Sequence, residues 1–354
     1  MNSKKIIFIA LIFSFTVGCS LFVNEKSGNE ITFKNNTQDK KIDVLVNGSL
    51  FTSFIYNDNL SVLKKTVLFP LIAANGVSIT RGYPLDPKPN ERIDHPHHIG
   101  AWLNYGNVNG LDFWNNSDAI PEAEKDKMGT IRLDKILKMQ DGKNEGLLEV
   151  SENWLNSNNK TILREKTEFR FIADKNSRII DRIVTLTAQN EKVIFNDNKE
   201  GMVAIRVARQ LEHPSKDPVT LSDAQGRKTD VPVLDNTGVT GHYLSSEGIE
   251  GDDVWSTRAR WVSLDGNIEG KNVTVVIFDN PKNVGFPTYW HARGYGLFAA
   301  NPLGQNVFSK GKETLNFTLN AGESVTFRYR ILIQDGKMDK EKIEKCYSSF
   351  VSSN

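Results

Sequence analysis

Half of the chain's six histidines fall within four positions, at His95, His97 and His98, directly after Asp94. Imidazole is the side chain best suited to proton transfer near neutral pH, and it is the commonest metal ligand. A neighbouring carboxylate such as Asp94 orients one ring by accepting its N–H. In an extended chain His95 and His97 share a face while His98 points the other way, and Pro96 blurs that parity. The spacing permits a two-histidine site; the alternative is a hydrogen-bonded turn whose rings satisfy backbone groups. A divalent metal suits the residue types, but neither an HExxH nor a CxxC spacing is present, so the cofactor is left open. Nothing in the sequence indicates an organic cofactor.

Just beyond, Trp102, Tyr105, Phe113 and Trp114 flank a glycine- and asparagine-rich turn at 106–110. Planar rings beside histidines and carboxylates suit a sugar, whose C–H face stacks on a ring while its hydroxyls seek polar partners. At least two of these four rings are expected in the core instead. The stretch 199–207 reads by alternation: Val203, Ile205 and Val207 face the core, and Glu200, Ala204 and Arg206 face away. Six residues of strand cover about 20 Å. Glu200 and Arg206 therefore grip one small sugar only if Gly201 bulges the chain, and Glu200 is expected nearer the histidines. A last cluster at 288–296 sets His291 and Arg293 among Tyr289, Trp290 and Tyr295 with glycines beside them, and reads as a wall presented on a tight loop. His213 and His242 have no such company and read as surface residues.

These groups need a frame, and the frame is β. Ser324 to Ile333 alternates Val325, Phe327, Tyr329, Ile331 and Ile333 with polar residues. Similar runs occupy 41–47, 66–72, 77–81, 146–154, 162–172, 178–187, 202–211, 259–264 and 272–279, punctuated by Asn47-Gly48, Asn75-Gly76, Asn109-Gly110, Asp141-Gly142 and Asp265-Gly266. One helix is predicted, at the C-terminus: Asp339 caps it, and Ile343, Cys346, Tyr347 and Phe350 form its apolar stripe. Cys346 is thus a packing residue. So many short strands with so little helix imply packed antiparallel sheets, an all-β sandwich with one C-terminal helix. Residues 214–254 lack periodicity, and a loop of that length is expected to be functional or mobile, lying over a cleft as a lid.

The N-terminus predicts the compartment. Lys4 and Lys5 precede an apolar run from Ile6 to Val17, of signal-peptide length and short of a spanning helix. Thr16-Val17-Gly18-Cys19 looks like a lipobox, with Thr16 departing from the usual leucine. The expected organisation is a lipoprotein signal peptide (1–18), a tether (19–30) and a single β domain (31–354). Lipid on Cys19 places it in the cell envelope, on the periplasmic face or the outer-membrane surface, touching the membrane through that anchor only. Loss of the two lysines moves the formal charge from +1 to about −1. A near-neutral chain with interspersed charges has no footprint for nucleic acid. With Cys19 lipidated, Cys346 has no disulfide partner.

Arg81-Gly82-Tyr83-Pro84, Asp94-His95-Pro96-His97-His98, Val108 to Trp114 (VNGLDFW), Lys199 to Met202 (KEGM) and Trp290-His291-Ala292-Arg293 form a set. Over roughly residues 65–335 this set resembles a family of secreted bacterial proteins often labelled "methane oxygenase PmoA". The label conflicts with the physics of the chain, because a membrane monooxygenase subunit needs several spanning helices. The resemblance implies the company of sugar-degrading proteins and a sandwich similar to galactose-mutarotase-like supersandwich domains. It also carries over Arg81, His95, His97, His98, Asp112, Glu200, Arg206 and His291. Joined with the residue reading, the candidate catalytic groups are His95, His97, His98, Glu200 and His291. The candidate substrate contacts are Arg81, Trp102, Asp112, Trp114, Arg206, Trp290 and Arg293. The leading function is a glycan-degrading hydrolase or lyase using histidine acid–base chemistry, with Glu200 as its partner and arginines holding an acidic or oxidised sugar. A two-carboxylate glycosidase would have to use Glu200 and Asp112. The alternatives are a non-catalytic glycan-binding lipoprotein and a metal-dependent oxidoreductase.

Overall fold

A computed structural model describes residues 28–353. The apolar run, the Thr16–Cys19 motif and most of the 19–30 tether lie outside the described residues. The first strand, Glu30–Asn36, begins one residue before the predicted domain start.

A strand with one apolar face must bury it, and two sheets do so against each other. Here a nine-stranded and an eight-stranded antiparallel sheet enclose one large core, the sandwich expected from the strand pattern. Ser324–Asp335 lies between Ser177–Ala188 and Lys271–Asp279 in the eight-stranded sheet. Its Phe327, Tyr329, Ile331 and Ile333 point into the core as their alternation requires. The other face of that sheet is covered by Lys340–Ser353, the one α-helix among the described residues. Its Ile343, Tyr347 and Phe350 pack on Trp261, Val276, Phe278 and Leu332, with Cys346 half-buried beside them. Asp339 Oδ1 accepts the Lys342 N–H at 2.8 Å, the predicted cap.

The turns follow their chemistry with one correction. Asn47 and Gly48 (φ 50° and 78°) make a two-residue hairpin of the type that needs two positive φ values. Asp265-Gly266, expected as a turn, lies inside Trp261–Ile268, and the chain reverses at Glu269-Gly270 instead. A Cβ on Gly266 would sit 2.6 Å from Leu211 Cδ2, so this glycine serves a close approach and not a turn. Residues 214–254 are mostly irregular, as expected. They carry a small hairpin (Val219–Thr220 with Pro232–Val233) and an edge strand, His242–Ser245.

One polar network sits between the sheets. Glu165 accepts from Arg182 Nη2 (3.1 Å), Trp154 Nε1 (2.8 Å) and Thr167 Oγ1 (2.5 Å), while Glu152, fully buried nearby, accepts from Thr66 Oγ1 at 2.5 Å. Two carboxyls share one guanidinium. Burial first, and the Glu165 charge second, push Glu152 up to about 8. A carboxyl whose folded pKa is raised gives stability that is complete below its unfolded value and is lost as pH rises through the folded one. Glu152→Gln removes that titration. Thermal melts are expected to show the variant gaining on wild type by at least about 2 °C between pH 5 and pH 8.5; parallel melting curves across that range would refute a neutral Glu152.

Candidate functional site

The outer face of the nine-stranded sheet carries the candidate residues. Strands Ala101–Tyr105, Gly201–Arg206, Leu297–Asn301 and Tyr289–Arg293 pair in that order. Their register sets Trp102, Ala204, Ala299 and His291 in one row, with Arg206, Leu297 and Arg293 in another. Val203, Ile205 and Val207 face the core, so the alternation read from the sequence holds. The same rule removes Trp290 from the substrate contacts. It lies in the row of Val203 and Ala300, fully buried in the core, with Nε1 donating to Ala259 O at 3.0 Å.

Above this face runs the 92–100 loop, and Arg81 holds it in shape. The Arg81 N–H donates to Arg206 O at 3.0 Å, which sets the two arginines side by side. The Arg81 guanidinium donates to the carbonyls of Arg92, Asp94, His95 and His98 and to Asp94 Oδ1, at 2.8 to 3.1 Å. Arg206 Nη2 donates to the same Oδ1 at 2.6 Å. Arg81 and Arg206 are 1% and 0% exposed, so both are engaged internally and neither presents a free fork to a substrate. Burial opposes the charge on Asp94, yet Arg206, His95 and Arg81 outweigh it and hold the carboxyl far below the usual range.

The three histidines do not follow the expected parity. His95 has a left-handed backbone (φ 45°), and the His98 N–H donates to His95 O at 3.0 Å, closing a turn. The rings of His95 and His98 therefore stack at 4.9 Å, nearly parallel, and His95 stacks in the same way on Tyr295 at 5.2 Å. His98 stacks in turn on Trp102 and meets Trp114 edge-on. His97 and His98 are buried, and burial first, then neighbouring positive groups, push both well below the usual histidine value. They are neutral rings packed in the loop. His95 is different: its side chain is 41% exposed, and its Nδ1 lies 3.3 Å from Asp94 Oδ2. Beneath the loop, Lys65 donates to His97 O at 2.6 Å and lies over the Trp102 ring; burial lowers its amine to about 7.

The remaining candidates divide. Trp102 and Trp114 are the floor of a buried cluster under the loop and offer no open ring face. Asp112 accepts the N–H groups of Trp114 and Asn115 at 2.8 and 2.9 Å and the Asn115 amide at 2.7 Å, tying its own loop. It is not the partner of Glu200. Glu200 is ion-paired with Lys199, and its Oε2 lies 3.6 Å from His291 Nδ1, which also lies 3.0 Å from Lys199 O. His291 is buried, and burial pulls it down to about 3. Glu200 still acts electrostatically on the Tyr295 phenol, and His95 on His291, so these groups share one region of the face. Among the described residues no three His, Cys, Asp or Glu side chains form a group that could hold a metal ion.

Beside Tyr295 opens a cleft of about 630 Å³, lined among others by Arg92, His213, Lys216, Asp252, Trp255 and Arg293. His213, read from the sequence as a surface residue, is buried in its wall with Nδ1 2.9 Å from Asp252 Oδ1. Pro214 to Asp217, the start of the long irregular stretch, form one side. A second hollow of about 460 Å³ lies on the other side of Arg92 and is lined by Asp94 and the 219–230 hairpin. Of the histidines predicted to be functional, only His95 is exposed, and it stacks on Tyr295, which lines the cleft.

No curated protein matches the chain. Among solved structures, the galactosidase domain of an alpha-galactosidase–sucrose kinase (AgaSK) aligns at 11% identity and a TM-score of 0.41 over 86% of this chain and 42% of that one. An alpha-galactosidase from Lactobacillus brevis aligns at 12% and 0.38 over 91% and 41%. Galactose 1-epimerase from Lactobacillus acidophilus NCFM aligns at 11% and 0.36 over 88% and 99%. The chain thus spans about two fifths of the two galactosidase chains. Residues 41–348 match a family described as of unknown function (DUF6807), and the chain belongs to that family.

Proposed function

We propose that this protein is a carbohydrate-active enzyme, a hydrolase or lyase, in which His95 transfers the proton. One observation carries the reading: an exposed imidazole packed on Tyr295, a cleft residue, with a carboxylate 3.3 Å from its Nδ1 that Arg206 and Arg81 hold far below the usual range. A proton held on Nδ1 by Asp94 leaves Nε2 as the base, or, once protonated, as the acid. Asp94 is kept charged by Arg81 and Arg206, so it orients the ring without competing for its proton. Glu200, on the same face, is the second carboxylate of the site. His97 and His98 support the loop in this reading and do not take part in proton transfer, because they are buried and neutral.

His95→Ala is expected to lower turnover of a plant or algal glycan fragment by at least about 100-fold while leaving the melting temperature within about 2 °C of wild type. His98→Ala empties a buried stack and should instead lower the melting temperature by several degrees. Product analysis separates a new reducing end from an unsaturated sugar. Full activity in the His95 variant would remove the histidine mechanism, and binding without any product would favour a glycan-binding module.

The same proposal places the domain at the cell envelope through lipid on Cys19. Cys19→Ala should abolish incorporation of labelled palmitate and move the protein from the membrane to the soluble fraction; unchanged fractionation and labelling would end the lipoprotein reading.

A further inference from the structure

The cleft beside Tyr295 holds the one candidate arginine that is in no ion pair among the described residues. Arg81 and Arg206 share Asp94, while Arg92 and Arg209 both donate to Glu212 Oε2 at 2.7 Å. Arg293 lines the cleft, is exposed, and makes no ion pair with any described carboxylate. Its guanidinium carbon lies over two rings of the same wall, 5.3 Å from Trp255 and 5.6 Å from Tyr295. Stacking occupies the faces of the planar group and leaves its in-plane N–H donors available for a planar acceptor.

The fold fixes this arginine at the cleft mouth. Arg293 ends the Tyr289–Arg293 strand and pairs with Leu297 across a three-residue turn, where Gly296 takes the left-handed position (φ 92°) and donates to Arg293 O at 2.9 Å. The His213 N–H donates to Gly294 O at 2.8 Å, fastening the turn to the opposite wall. A Cβ on Gly294 would lie 2.7 Å from Asp252 Oδ1, so the walls meet closely at that point. Two carboxylates also line the cleft, Asp252 and Asp217. Asp252 is paired with His213 Nδ1, and the exposed Lys216 adds a positive charge beside Asp217.

We infer that this cleft is a subsite for a uronic residue of a glycan, with Arg293 gripping the sugar carboxylate and Trp255 and Tyr295 flanking the grip. The inference rests on the carbohydrate reading above but not on its catalytic step. A paired guanidinium–carboxylate contact is planar and two-pronged, which favours a carboxylate over a neutral hydroxymethyl group by about tenfold to a hundredfold.

The test is a binding experiment on the full domain. Plant and algal polysaccharide fragments are immobilised as native uronates and after chemical reduction of their carboxyls to primary alcohols, with sulfated, uronate-free fragments as a third arm. Wild type is expected to bind at least one native uronate at least about tenfold more tightly than its reduced form. Arg293→Gln should erase that difference at an unchanged melting temperature, and Arg293→Lys should retain part of it. Equal binding before and after reduction, a preference that survives in Arg293→Gln, binding to sulfated fragments alone, or no binding to any uronate would each overturn the assignment. His95→Ala tested in parallel keeps the two ideas apart: it should keep the uronate preference while losing turnover. A catalytically intact His95→Ala with the preference retained would sink the mechanism and leave the subsite standing.

Discussion

Two guanidiniums withdrawn from water around one carboxylate set the terms for the whole site. Arg81 and Arg206 are buried, and an unpaired buried charge is destabilising by several kcal/mol, roughly 3–5 when one partner of such a pair is removed. Asp94 lies between them, and four carbonyls of the 92–98 segment accept from the Arg81 Nη1 and Nη2 groups. The loop therefore owes its path to a side chain from outside it. Its own residues are held where the arginine needs acceptors, including His95 in a backbone region that non-glycine residues seldom adopt.

From that anchorage follows a column of rings in which His95 is the exposed member, with half-buried Tyr295 on one side and buried His98 and Trp102 on the other. Tyr295, His95, His98 and Trp102 stack in succession at 5.2, 4.9 and 5.3 Å. Depth along the column determines what each ring does. Trp102 closes the buried cluster, and His98 sits where desolvation and the nearby Arg206 charge both oppose protonation. His95, one layer out, meets both water and the Asp94 carboxylate. The same residue type is thus sealed in packing at one level and open to water at the next, decided by a few ångströms of burial.

Much of this frame could be read from residue order, and the failures have identifiable causes. The alternation in 203–207 and 325–333, the Asn47-Gly48 hairpin and the helix cap at Asp339 are local signals, and each holds. The glycines and rings of 288–296 suggest a loop, and in a loop nothing sends Trp290 inward. As the strand Tyr289–Arg293, its own parity sends His291 and Arg293 outward and Trp290 inward. The histidine spacing misled for the opposite reason, since parity was applied where the chain turns and the i to i+3 pair meets instead. Trp102 and Trp114 could not be placed from sequence at all. Nothing in a β-strand announces whether its outer face is open or covered by a distant loop. His213 escaped notice because its company, Asp252 and the 293–296 turn, is assembled only by the fold.

The sandwich explains why one face carries both the charge and the openings. Its inner faces are committed to apolar packing, and the outer face of the eight-stranded sheet is partly covered by the C-terminal helix. The outer face of the nine-stranded sheet is instead crossed by loops, and loops bring carbonyls and polar side chains that must be satisfied. Buried arginines suit that need, each offering five donors in a fixed fork. Once they have fixed the loop, the positions around its rim are freed from structural duty. That is where His95, Tyr295 and Arg293 stand, at the end of a strand or the edge of a turn, held by ring contacts, with the Asp94 carboxylate beside His95. A rigid interior with lightly tethered groups at its edge is the arrangement in which side chains can meet a ligand without dismantling the support beneath them.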